Sequence, residues 1–66
     1  MTNREYAIYS AIKSYIAQRG YPPSVREIGQ LVGLKSPSTV HRYLVNIKNQ
    51  GLIAFEPNQL RTLRVL

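Results

Sequence analysis

The stretch SVREIGQLVGLKSPSTVHRYLVNIKNQG, residues 24–51, contains two helix starts and two glycine stops. Ser24 with Glu27 three positions later is the capping-box spacing, in which the hydroxyl takes the third backbone N–H and the carboxylate reaches back to the cap. Val25, Ile28, Leu31 and Val32 then supply a short apolar face ending at Gly33, so the spacing predicts a helix of about ten residues from cap to cap. Ser36-Pro37 opens another helix. Serine is a favoured N-cap, and proline at the first helical position loses only an N–H that has no partner there. Val40, Leu44 and Ile47 fall three and four apart as its buried stripe, and Gly51 behind Asn49-Gln50 serves as a left-handed terminator. Two short helices across a tight, glycine-containing turn form the helix-turn-helix layout, whose second helix enters the DNA major groove.

Towards the N-terminus, Thr2 and Glu5 repeat the capping-box spacing. Ile8, Ile12 and Ile16, flanked by Tyr9 and Tyr15, give one apolar stripe of a helix that stops at Arg19-Gly20. The tyrosines could offer a stacking platform for bases, but beside an isoleucine stripe they read as the edge of a core. Gly20-Tyr21-Pro22-Pro23 is a stiff connection, because each proline fixes its own φ and pushes the preceding residue out of the helical region. Towards the C-terminus the pattern changes. Leu52-Ile53-Ala54-Phe55 is short and β-compatible, Glu56-Pro57-Asn58-Gln59 has turn chemistry, and Leu60 to Leu66 interleaves arginine with apolar residues. The expected fold is mainly α (α+β): a three-helix winged helix-turn-helix with a C-terminal β-hairpin wing, one domain over residues 1–66.

Composition narrows the partners. The 66 residues are 44% hydrophobic and 18% charged, within the range of globular domains and too apolar for a disordered tail. No cysteine is present, so disulfides and thiolate metal sites are excluded, and with a single histidine no metal site and no cofactor are expected. No run approaches a membrane span and the N-terminus lacks a signal-peptide pattern, which leads us to expect a cytoplasmic protein without membrane contact. No nucleophile, base and orienter set is apparent, so an enzyme is not expected. Nine Lys and Arg against three Glu leave +6 on a small body. Polyanions are favoured by that charge, nucleic acid first among them, although basic surfaces also keep small proteins soluble.

Rotating about 100° per residue away from the Val40-Leu44-Ile47 stripe places Ser38, Arg42 and Asn49 opposite it, with Thr39, His41 and Asn46 on the flanks. That face carries hydrogen-bonding side chains and no carboxylate. The base-reading candidates are Ser38, Thr39, His41 and Arg42. Arg42 leads because a guanidinium can make two bonds to guanine O6 and N7, while the short Ser38 and Thr39 require close approach. Ser36, with the free N–H groups behind it, and Arg26, Lys35, Arg61 and Arg64 are the phosphate candidates, which position the protein rather than specify sequence. Other readings stand beside these: Arg42 as a solvated helix residue, Arg61 and Arg64 as charges that keep an edge strand from aggregating, and Tyr43 as packing rather than a phosphate contact.

The run from Gly20 to Gly29, then Val32-Gly33-Leu34, Ser36 through His41, and Gly51-Leu52-Ile53 together resemble the N-terminal DNA-binding domain of the LexA repressors, which shut off DNA-damage-response promoters in bacteria. The resemblance covers essentially all 66 residues. It implies a winged helix-turn-helix whose third helix enters each half of an inverted-repeat operator, with Ser36, Ser38, Thr39, His41 and Arg42 at contact positions. Many relatives carry other residues where Arg42 and Tyr43 stand, which implies a different preferred operator. LexA repressors continue into a serine-lysine self-cleaving domain with the main dimer interface, and nothing in these residues corresponds to it, so self-cleavage is not expected of them. The expected partner is double-stranded DNA, with dimerisation either on a two-fold operator or through a second domain outside this sequence. The alternative is a winged-helix module that binds another regulator; the basic charge and the carboxylate-free helix face argue against it.

Overall fold

The computed structural model describes residues 2–57 and 59–66. Three helices, α1 (Asn3–Arg19), α2 (Val25–Val32) and α3 (Pro37–Asn49), are followed by an antiparallel pair of strands, β1 (Ile53–Glu56) and β2 (Gln59–Val65). This is the winged helix-turn-helix, mainly α, that the sequence leads one to expect. The turn expected over residues 56–59 passes through Asn58, which lies outside the described residues.

Local chemistry sets the helix boundaries. Both capping boxes close. Thr2 Oγ1 accepts from the Glu5 amide at 3.1 Å while Glu5 Oε1 accepts from the Thr2 amide at 2.9 Å. Ser24 and Glu27 exchange the same pair at 3.1 and 3.0 Å. Gly33 ends α2 at φ 76, a left-handed conformation that costs a residue with a Cβ about 1 kcal/mol or more. The helix proper has 8 residues, and the expected ten is reached only by counting Ser24 and Gly33 as its caps.

The core draws on every element: Ile8 and Ile12 from α1, Ile28 from α2, Val40, Leu44 and Ile47 from α3, Ile53 and Phe55 from β1, and Leu63 from β2. Two positions expected on apolar faces sit differently. Ile16 is only half-buried, at the end of α1. Leu31 is 55% exposed, because the face that α2 buries is Val25-Ile28-Gly29-Val32, and Leu31 lies about 110° from its centre at 100° per residue. Gly29 allows the tight approach between α2 and the following turn. A Cβ there would stand 2.7 Å from the Leu34 carbonyl oxygen, and the Leu34 amide donates to the Gly29 carbonyl at 2.8 Å.

The hairpin is irregular. Ile53 pairs with Val65, Ala54 with Arg64 and Glu56 with Gln59, with a register shift between Ala54 and Glu56. Thr62 fills the irregularity: its hydroxyl accepts from the Glu56 amide at 2.7 Å and donates to the Gln59 carbonyl at 2.6 Å.

Candidate nucleic-acid interface

The α3 start is built as its first residues predict. Ser36 Oγ accepts from the Thr39 amide at 3.4 Å, Pro37 follows, and the first turn holds no acidic residue. The positive end of the helix dipole therefore has no carboxylate against it within the helix. Along the outer face, Ser38, His41, Arg42, Asn46 and Asn49 are exposed, and Thr39 is half-buried at the edge of the stripe. The phosphate candidates Ser36, Arg26, Lys35, Arg61 and Arg64 are all exposed.

These cations are not gathered in one patch. Arg26 and Lys35 line a single groove between α2 and the turn into α3, with Gly29 on its floor and Pro37 at its end. Arg61 lines a different groove, with Tyr21, Pro23 and Glu27 at the α1–α2 connection. Arg64 pairs with Ala54, next in the chain to the buried Leu63. The two wing arginines, read together from sequence, thus sit in different settings: Arg61 lines the groove at the α1–α2 connection and Arg64 stands opposite Ala54.

A third groove lies between α3 and the wing. His41, Val45, Lys48 and Asn49 form its helical wall, and Phe55 and Pro57 its strand wall. The His41 ring meets Phe55 edge-on, with centroids 6.4 Å apart and planes at 63°. Lys48 Nζ donates to the Phe55 carbonyl at 2.9 Å and stands 4.7 Å from the centre of its ring. Neither Val45 nor Lys48 was singled out by the sequence. The signal for Val45 was a valine on the polar side of the helical wheel. For Lys48 there was none, since its partner belongs to another element.

Two of the three carboxylates are engaged away from the α3 face. Glu5, only 7% exposed, holds the α1 cap and also accepts from Gln50 Nε2 at 3.4 Å, which ties the start of α1 to the end of α3. Its carboxyl is held below the usual range chiefly by the Thr2 amide, which outweighs the opposing effect of burial, with Gln50 adding a smaller lowering. Glu27 accepts from the Tyr15 hydroxyl at 2.6 Å as well as from the Ser24 amide, and these bonds hold its carboxyl low. What remains around α3 is an exposed polar surface with cations on either side, a surface able to take a polyanion and hydrogen-bond to its interior edges.

The whole chain corresponds to known sequences. Residues 1–62 match the LexA DNA binding domain. This chain belongs to that family. A LexA repressor of Clostridium kluyveri is 53% identical over 64 residues, which is 97% of this chain and 32% of the relative. LexA repressors of Listeria welshimeri and Staphylococcus aureus are 47% and 44% identical over all 66 residues, again 32% of each relative. The chain thus spans about a third of the length of the curated relatives it matches. As a LexA-family domain it is a DNA-binding module. Among the described residues, no helix is long and apolar enough to cross a membrane.

Proposed function

We propose that this LexA-family domain binds double-stranded DNA with sequence specificity as the DNA-binding part of a transcriptional repressor, reading each half of an inverted-repeat operator with α3. The observation that carries the proposal is the exposed α3 face from Ser38 to Asn49, polar and free of carboxylates, beside a groove that holds Arg26 and Lys35. In this reading Ser38, Thr39, His41 and Arg42 contact bases, Arg42 with the most discrimination. Ser36, Arg26, Lys35, Arg61 and Arg64 hold phosphates. Dimerisation on a two-fold site supplies the affinity that one small module lacks, and the setting is cytoplasmic. The residues 1–66 act as one domain and as a regulator, not an enzyme. The protein-interaction alternative has no observation in its favour.

The test is a fluorescence-anisotropy titration of an inverted-repeat duplex pool against scrambled duplex at two salt concentrations. Preferential binding to members of the pool is expected, and identical binding at both salts sinks the sequence-specific reading. In the same assay Arg42→Ala costs about 1 to 3 kcal/mol and relaxes specificity, whereas Lys35→Ala weakens all duplexes alike. An Arg42→Ala variant with undiminished discrimination removes that residue from the reader set.

A further inference from the structure

Of the nine Lys and Arg side chains, all among the described residues, eight are exposed and Lys48 alone is half-buried. Its position explains why. Phe55 falls at the register shift of the hairpin, between the pair Ala54 with Arg64 and the pair Glu56 with Gln59. The Lys48 ammonium donates to the Phe55 carbonyl at 2.9 Å and also stands 4.7 Å from the centre of the Phe55 ring, an arrangement in which hydrogen bond and cation–π attraction favour the same pose. His41, two turns earlier on the same side of α3, meets that ring edge-on at 6.4 Å. The Phe55 side chain, 5% exposed, is therefore held at the core by its own burial and bracketed from α3 at two points.

The wing is seated on the helices through the core residues Ile53, Phe55 and Leu63, and the Lys48 contact adds a polar tie to α3. Among the described residues it is a two-stranded hairpin, and an isolated pair of strands is marginally stable without packing against another element. Beyond the buried Ile53, Phe55 and Leu63, its outer half carries Arg61, whereas Arg64 sits nearer the base opposite Ala54. The pose of the wing on α3 decides where these charges stand relative to whatever α3 reads.

We propose that Lys48 is a positioning residue for DNA binding: by clasping Phe55 it locks the wing to the reading helix, so that wing and helix engage the duplex in one fixed register. Lys48 thus acts through the wing and not as a phosphate ligand. This inference rests on the assignment of α3 and the wing to DNA.

The test combines Lys48→Met, Lys48→Arg and the double variant Arg61→Ala/Arg64→Ala, singly and together, in the 66-residue chain. Affinity is read by fluorescence anisotropy as a function of salt, on the tightest duplex recovered from the inverted-repeat pool and on scrambled duplex. Methionine keeps the apolar stem and removes the donor; arginine keeps both donor and cation. Removing the wing arginines is expected to flatten the salt dependence of the Lys48 protein by about 0.9 for each phosphate those arginines neutralise. In the Lys48→Met background the same removal changes the slope by less than half as much, and Lys48→Arg restores the full change. Equal changes in both backgrounds overturn the proposal. So does a flattening of about 0.9 from Lys48→Met that persists without the wing arginines, which makes Lys48 a phosphate ligand. A second measurement needs neither DNA nor a variant. In the free protein the Lys48 ε-methylene protons are expected upfield, shifted by the Phe55 ring, with cross-relaxation between the two side chains; their absence also overturns the clasp. If no duplex is preferred over scrambled DNA, the specific-operator reading fails by itself, and both the wing cycle on scrambled duplex and the proton shifts still decide the role of Lys48.

Discussion

The Tyr15 hydroxyl and Glu27 share a 2.6 Å hydrogen bond, and each alters the acidity of the other. The bond to Glu27 pushes the Tyr15 hydroxyl up to about 12, helped by burial, while the same bond and the Ser24 amide hold the Glu27 carboxyl low. Arg19 lies 5.0 Å from the centre of the Tyr15 ring and adds to the attraction for the carboxylate. The two shifts bound a window of stability. Because Glu27 is more acidic in the folded protein, its contribution is complete above the ordinary carboxylate range and is lost as pH falls through the folded value. Because Tyr15 holds its proton more tightly when folded, its contribution is complete below about 10 and is lost between about 10 and about 12. Tyr15→Phe is therefore expected to lower Tm at neutral pH, with the difference from the parent narrowing below pH about 4. Thermal unfolding across a pH series checks this, and a difference that does not change with pH argues against the coupling. Only half of this site was legible in the sequence. Ser24 and Glu27 lie one helical turn apart, so their capping box was open to a local reading; Tyr15 and Glu27 meet only because α1 packs on α2.

At the scale of elements, α2 and its turn bear the strictest constraint. The geometry that presents α3 depends on Gly29, where the chain after α2 folds back so closely that the Leu34 carbonyl occupies the space of a side chain. Gly29→Ala restores up to about 1 kcal/mol of helix propensity but forces apart two backbone segments, and overpacking of that kind costs about 1 to 3 kcal/mol. The expected outcome is a net loss of stability, seen as a lower denaturant midpoint with an unchanged slope, and a stabilised variant would show that the turn can relax. Residues 24–51 announce the two helices through their caps, but neither periodicity nor propensity distinguishes Gly29 from a tolerated helical glycine. Leu31 shows the same limit in reverse. It satisfies an apolar pattern, yet an eight-residue helix wedged between two others buries one narrow face, and Leu31 falls outside it. The wing arginines make the point for strands: the sequence supplies both charges, and the fold sets Arg61 in the groove at the α1–α2 connection and Arg64 opposite Ala54.

For the molecule as a whole, net charge +6 and one exposed helix face point to binding that is driven by phosphate contacts and limited by area. A single module of this kind buries about 600–1,000 Å² of its surface on DNA, too little for tight binding to half a site. Joining two copies through a dimerising coiled coil is therefore expected to raise affinity for an inverted repeat by roughly 10²–10⁴, and to do far less for a duplex with one half-site. Anisotropy titrations on the two duplexes measure the ratio, and an equal gain on both would mean that the two-fold geometry is not used.

What the sequence determined by itself is what short-range chemistry controls. Caps three residues apart, a proline at a helix start, a glycine at a helix stop and an apolar repeat specify three helices and a hairpin, and with them an α3 face free of carboxylates. Tertiary structure alone decided which of those parts touch. Packing joined Tyr15 to Glu27 and Glu5 to Gln50, set Arg61 in a groove beside Tyr21 and Glu27, and brought Lys48 onto Phe55 at the register shift of the hairpin. These contacts depend on how rigid elements meet around a shared core, and no local spacing in the chain encodes that meeting.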